Sequence, residues 1–306
     1  MLMLLKSWLS SMEFIKSKTI LSKVKYGNEW FGIDYNMNLY RGCSHGCIYC
    51  DSRSNCYHID NFDVPKGKEN ALILLENELS KKKDKGVIGI GSMSDTYNPF
   101  EKKYEQTRGA LKIISKYNFG VSIDTKSDMI LRDIDLLKEI NLKNNVIVKF
   151  TITTSSDELS KMIEPNVCVS SKRFQAIKIL SDNGIFAGIM MNPVLPFITD
   201  SEENIKKIVK LAHESGAKFI HTYMGMTLRE NQRDYYFKKL DILFPGLKDK
   251  YIKYYGERYN CVVPDYKRLY KVFTDECDKY GILYNMKDII SAYKKSIKTN
   301  EQISFF

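Results

Sequence analysis

"NLYRGCSHGCIYCDSRSNCYH", residues 38–58, holds four of the chain's seven cysteines and two of its four histidines. Cys43, Cys47 and Cys50 form a C-x3-C-x2-C run, and Cys56 follows six residues later. Spacings of two and three bring thiolates to one side of a turn, so three can converge on one metal or one corner of a cluster. Three ligands leave one coordination position open, and an open position is where chemistry occurs. Zinc is the competing reading: His45, His58 or Cys56 would complete a four-ligand site, although Cys168, Cys261 and Cys277 supply no second knuckle. A disulfide framework fits least, because seven is odd, the spacing is uneven and no cleavable secretory signal is visible. A reducing cytoplasm is the expected compartment.

Outward from this stretch, helical and extended patterns alternate. "ENALILLENELSKK" has helical apolar spacing and "GVIGIGS" (86–92) is a short β-branched run. Helix "EKKYEQTRGALKIISKY" then precedes strand "GVSIDT", "LRDIDLLKEI" precedes "NVIVKFTITT", "SKRFQAIKILSDNG" precedes "IFAGIMM", and "SEENIKKIVKLAHESG" precedes "AKFIHTYMG". With a first strand at "YNMNLY", six βα units result, short of the eight that close a barrel. The expected fold is α/β: a partial (β/α)6 TIM-type barrel on a parallel sheet, with a helical C-terminal extension. The expected divisions are an N-terminal extension (1–30), the barrel (31–228) and a tyrosine-rich helical segment with a tail (229–306). In such a fold reactive groups sit at the C-terminal ends of strands, which is where the cysteine loop falls.

The chain has 306 residues, of which 43% are apolar and 27% charged, a composition able to bury a full core. "MLMLLKSWLSS" is far shorter than the roughly 20 residues of a membrane span. It reads as the product of an early start codon ahead of Met12. The net charge of +10 biases the surface toward polyanions, with a merely solvated lysine surface as the plain alternative.

The cysteine loop, with aromatic Tyr49 just before its last cysteine and a position after the first strand, resembles the radical S-adenosylmethionine (SAM) superfamily. Over roughly residues 36–225 the chain is similar to the spore photoproduct lyase group and its broader relatives, the DNA repair photolyases. "GVIGIGSMSDTYNPFE", "DTKSD", "TITTSSDELSKMIEPN" and "GIMMNPVLP" carry this likeness, in order, at successive strand ends. The resemblance implies a [4Fe-4S] cluster on Cys43, Cys47 and Cys50 whose fourth iron chelates SAM. Reduction would then yield a 5'-deoxyadenosyl radical that takes hydrogen from substrate. It implies a reductant such as flavodoxin or ferredoxin.

Carried over, Gly91 and Ser92 would approach the SAM amino group. Lys126, Ser127, Thr153 and Ser155 would line the carboxylate and ribose side, with Tyr49 and Asn192 near adenine. Gly42 and Gly46 would give way to the cluster where a Cβ would collide with it. The plainer readings are that Thr153 continues a strand, Lys126 pairs with Asp128 and Ser92 caps a turn. The group also carries a hydrogen-donating cysteine just upstream of Ser-Asp, where this chain reads Ser92-Met93-Ser94-Asp95. That leaves Cys56, Ser92 and Asp95 as candidate catalytic residues. A hydroxyl cannot donate a hydrogen atom readily, so Cys56 or a tyrosine would replace the missing thiol; a structural, buried Cys56 is the plain alternative.

Nucleic acid, DNA above all, is the expected substrate class, because Arg229, Arg233, Lys238, Lys253 and Arg258 interleave with Tyr235, Tyr236, Tyr254 and Tyr255. Tight amphipathic packing of these tyrosines is the alternative. The last residues, Gln302-Ile303-Ser304-Phe305-Phe306, resemble the short peptide by which bacterial DNA repair proteins dock on the sliding clamp.

Overall fold

The computed structural model describes residues 12–25 and 29–294. The early-start reading of the first eleven residues and the clamp-like peptide at 302–306 lie outside the described residues. The strands in chain order are β1 (Phe14–Ile15), β2 (Leu21–Lys23), β3 (Tyr35–Met37), β4 (Tyr40–Arg41), β5 (Lys66–Lys68) and β6 (Val87–Ile90). β7 (Gly120–Thr125), β8 (Val146–Thr151), β9 (Phe186–Met191), β10 (Ile220–Thr222), β11 (Gly225–Thr227) and β12 (Asn260–Val262) follow. One seven-stranded sheet runs β10-β9-β8-β7-β6-β3-β2. Its six strands from β3 to β10 are mutually parallel, and β2 adds an antiparallel edge. The expected six-stranded parallel partial barrel is therefore present.

Helices connect these strands, because parallel neighbours need a crossover long enough to return the chain to the same end of the sheet. Helix Glu202–Glu214 begins as its sequence predicts, with the Ser201 side chain accepting from Asn204 N. The single helix expected over 101–117 is broken. Glu105 adopts φ 46°, separating Glu101–Tyr104 from Gln106–Lys116. The buried Glu101 carboxylate takes the Thr107 N–H at this break and pairs with Arg132.

Alternation along each strand divides the sheet's two faces. On the helix side, Val121, Ile123, Val146, Val148, Phe150 and Ile189 join the main core. The other face begins apolar, with Val87, Ile147, Met190 and Phe219 packed on Phe31, Ile289 and Tyr293 from the N-terminal end. It then turns polar through Ser122, Asp124 and Lys149.

The segment after residue 228, expected from the sequence to be helical, also contains a strand. β12 returns from between two helices to pair antiparallel with β11. Helices Gln232–Leu243 and Leu247–Tyr255 close a second core around Tyr236, Leu240, Tyr251 and Tyr255, and Cys47, Ile48 and Tyr49 of the cysteine loop belong to that same core. Helix Tyr266–Tyr280 packs on helix Glu202–Glu214.

Candidate active site

The cysteine loop leaves β4 through Gly42 at φ 82° and turns again at Gly46, φ 71°, a region that side chains avoid. A Cβ on Gly42 would stand 2.7 Å from the Phe62 carbonyl oxygen, and one on Gly46 would stand 3.1 Å from Asn166 Nδ2. Both glycines thus make room for protein atoms. Hydrogen bonds from Cys43 N to Phe62 O and from Ile48 N to Ile163 O fix the loop at the C-terminal edge of the sheet.

One cavity gathers Cys43, Cys47, Cys50, Gly91, Ser92 and Asp95, with His45, Asp124, Thr125 and Lys126 on the same wall. All seven cysteines are free thiols. Burial raises the Cys47 and Cys50 thiols above the usual range. Burial also pushes Cys43 upward, but the adjacent His45 imidazole outweighs it and draws that thiol below its ordinary value. His45 is itself buried and stands with Nδ1 3.5 Å from Asp95 Oδ2. Among the described residues, no three His, Cys, Asp or Glu side chains group tightly enough to hold a single metal ion. Three thiols on the wall of one cavity fit a cluster that offers each thiolate its own iron.

Gly91, at φ 97°, lets the β6 loop cross the end of β7; a Cβ there would lie 2.2 Å from Asp124 O. Asp95 clamps this crossing, accepting from Thr125 Oγ1 at 2.9 Å, Lys126 N at 2.7 Å and Tyr97 N at 2.9 Å. Its carboxylate is thereby committed to holding two strand ends together. Lys126 does not pair with Asp128. Burial disfavours its charge, but Cys47, Glu164 and Asp95 more than offset this and hold the ammonium protonated. Among the described residues its ammonium makes no hydrogen bond or ion pair within contact distance, and it stands 5.8 Å from the centre of the Tyr49 ring. A buried cation on a cavity wall is able to receive an anionic group of a ligand.

Tyr49 lies behind this lysine and donates its hydroxyl to Glu164. Burial, then the Glu164 charge, raises its hydroxyl well above the usual phenol range. Glu164 also pairs with the fully buried Arg173 at 2.5 Å, and Arg173 donates to the Thr151 and Cys168 carbonyls at 2.9 Å each. This buried network supports the cavity from below. Sequence reasoning noted the Glu-Pro at 164–165 but missed Arg173, whose partner is nine residues away.

The other expected ligands separate. Ser127 caps the turn that follows and accepts from Met129 N, facing a neighbouring cavity. Ser155 gives both N and Oγ to Asn204 Oδ1. Thr153 is buried with Oγ1 lacking a partner, and Asn192 precedes a cis proline; neither lines the cysteine cavity. Cys56 is exposed, beside Ser54 and Arg229, instead of buried. His45 was considered from sequence only as a zinc ligand, and the interior trio Asp124, Lys149 and His221 was missed. Lys149 Nζ lies 3.0 Å from Asp124 Oδ2. Burial, then Lys149, lowers His221 to about 4.

The radical SAM superfamily model matches residues 37–212, more than half of the chain. The chain belongs to the radical SAM superfamily. It is an enzyme family defined by a [4Fe-4S] cluster and SAM, and Cys43, Cys47 and Cys50 are the residues here that would hold the cluster. An uncharacterized protein of Methanocaldococcus jannaschii is 38% identical over 174 residues, 56% of this chain and 64% of that protein. An uncharacterized protein of Mycobacterium tuberculosis is 27% identical over 242 residues, 77% of this chain and 71% of that one. The chain thus spans less than two thirds of the methanogen protein's length. Spore photoproduct lyase, solved with a dinucleoside spore photoproduct, superposes with a TM-score of 0.65 at 14% identity, covering 90% of this chain and 81% of that one. That likeness is one of fold.

Proposed function

We propose that the chain is a radical SAM enzyme acting on nucleic acid and reversing a DNA lesion as the spore photoproduct lyase group does. The observation that carries the reading is the fold correspondence over 90% of the chain with a lyase solved around a dinucleoside lesion. The positive charge of +10 supports it. The cluster, when bound, supplies an electron that cleaves SAM and so yields a carbon radical able to take hydrogen from substrate.

The chain's own residues do the rest. Lys126 presents a positive charge to an anionic group, Gly91 lets the β6 loop cross the end of β7, and Asp95 fixes the two strand ends between them. Tyr49, Glu164 and Arg173 form a rigid floor. Because Cys56 is exposed and off the cavity wall, a hydrogen-donor role for it requires movement of the 51–57 segment. All seven thiols being free agrees with a reducing cytoplasm. No helix among the described residues is long and apolar enough to cross a membrane.

A small-molecule substrate is the second reading. It is favoured by the state of the tail: Arg233 donates to the Gly256, Leu228, Glu257 and Arg258 carbonyls, and Tyr236 and Tyr251 are core residues, so much of the interleaved pattern is packing. Deuterium transfer separates the two. Lesion-bearing DNA deuterated at the attacked carbon is expected to pass deuterium into 5'-deoxyadenosine. Turnover of SAM that no DNA accelerates would instead favour the small molecule.

A further inference from the structure

The β11–β12 ribbon continues directly from the C-terminal end of β10, at the edge of the sheet where the cysteine cavity opens. It is sewn to the cysteine loop. Gln232 Nε2 donates to Tyr49 O at 3.0 Å, Asn231 Nδ2 to Arg53 O at 2.9 Å, and Thr227 Oγ1 to Asp51 Oδ1 at 2.7 Å. Arg229 pairs with the same Asp51 oxygen at 3.1 Å, one residue beyond Cys50.

From this seam a row of tyrosines runs outward. Arg229 lies 5.6 Å over the ring of Tyr259, which is 58% exposed. The Tyr223 hydroxyl donates to Asn260, the residue after Tyr259, and lies within electrostatic reach of Tyr259 and Tyr266. Tyr266 and Tyr270 open helix Tyr266–Tyr280, stacked at 5.7 Å between centroids with planes 19° apart, and both are exposed. Folding does not need these rings outside. Their neighbours Leu269 and Phe273 already supply the helix's buried face. Among the described residues, the exposed large apolar side chains of segment 259–270 are these three tyrosines, with no aliphatic one among them, unlike an ordinary hydrophobic protein-docking patch.

Charge selects the occupant. Arg233 and Arg258 bind carbonyl oxygens at the turn that presents Tyr259, and neither has a carboxylate partner among the described residues. Lys267, between the stacked tyrosines in sequence, likewise has none. Exposed π-faces flanking a turn that carries arginine charge without a carboxylate partner match unpaired bases on a phosphate backbone.

We propose that Tyr259, Tyr266 and Tyr270 form a stacking track for a single-stranded or locally unpaired stretch of polynucleotide leading to the cysteine cavity. The proposal rests on the nucleic-acid reading and extends it by naming the surface and the strand state.

The test is fluorescence anisotropy of the full chain with a labelled single-stranded oligothymidylate and with the matching duplex. The wild type should prefer the single strand. Tyr259→Ala and Tyr266→Ala should each weaken it about tenfold, while Tyr259→Phe and Tyr266→Phe retain binding because the π-face survives. Thermal unfolding of each variant checks that the fold persists. Wild-type binding that both alanine variants preserve overturns the track but not the nucleic-acid reading. Absence of any wild-type binding to either oligonucleotide overturns both.

Discussion

The two faces of the sheet are made from alternate residues of the same strands, yet they obey different rules. Along β8, Val146, Val148 and Phe150 turn to the helices and lie in the main core. Ile147, Lys149 and Thr151 turn the other way, toward Asp124 and the cysteine cavity. The helix face has no buried polar side chain lacking a partner at these positions, whereas on the concave face Ser122 Oγ is buried without one. Polar groups held out of water without partners cost stability.

The comparison can be broken from its strongest point downward. Replacing Cys43, Cys47 or Cys50 by Ala should abolish iron retention and colour in anaerobically prepared protein, while Cys56→Ala, outside the cavity, should leave both unchanged. On the helix face, Phe150→Ala should cost about 3–5 kcal/mol in denaturant unfolding, through lost burial and the cavity left behind. On the concave face, Ser122→Ala should fall within about 0.5 kcal/mol of wild type or slightly above it, because the hydroxyl it removes has no partner. Equal costs for these two would erase the distinction between faces.

Lys126→Met should weaken SAM binding about 10- to 100-fold in calorimetry while the iron content stays, as the cation faces a ligand and not the thiolates alone. The smallest effect concerns His221. Burial and Lys149 lower it to about 4, so between about 4 and its unfolded value near 6.5 the unfolded chain binds the extra proton. Stability should therefore fall as pH drops through that window. His221→Gln should flatten this part of the profile in urea titrations between pH 4 and 7 and leave the neutral value nearly unchanged.

The fold was legible because parallel strands buried on both faces read as short apolar runs between amphipathic helices; "GVSIDT" corresponds residue for residue to β7. The cysteine triad was legible because its spacing is local. What escaped were pairings made across the chain. Glu164 with Arg173, Asp124 with Lys149, and Asp51 with Arg229 join residues on different elements, and no periodicity announces them. The C-terminal strand β12 escaped for a related reason. "NCV" is three residues between two tyrosine-rich helices, and only its partner β11, more than thirty positions earlier, makes it a strand. The arginines of the tail carry a packing role that the sequence did not announce: Arg233 and Arg258 hold backbone carbonyls at a turn. Their charge persists, but its position is set by folding.

The central claim is that Cys43, Cys47 and Cys50 cradle a cluster that cleaves SAM, and anaerobic reconstitution tests it most directly. The account predicts brown protein with about four irons per chain, and 5'-deoxyadenosine released from SAM on reduction. Colourless protein that retains one zinc and leaves SAM intact under reduction would contradict it.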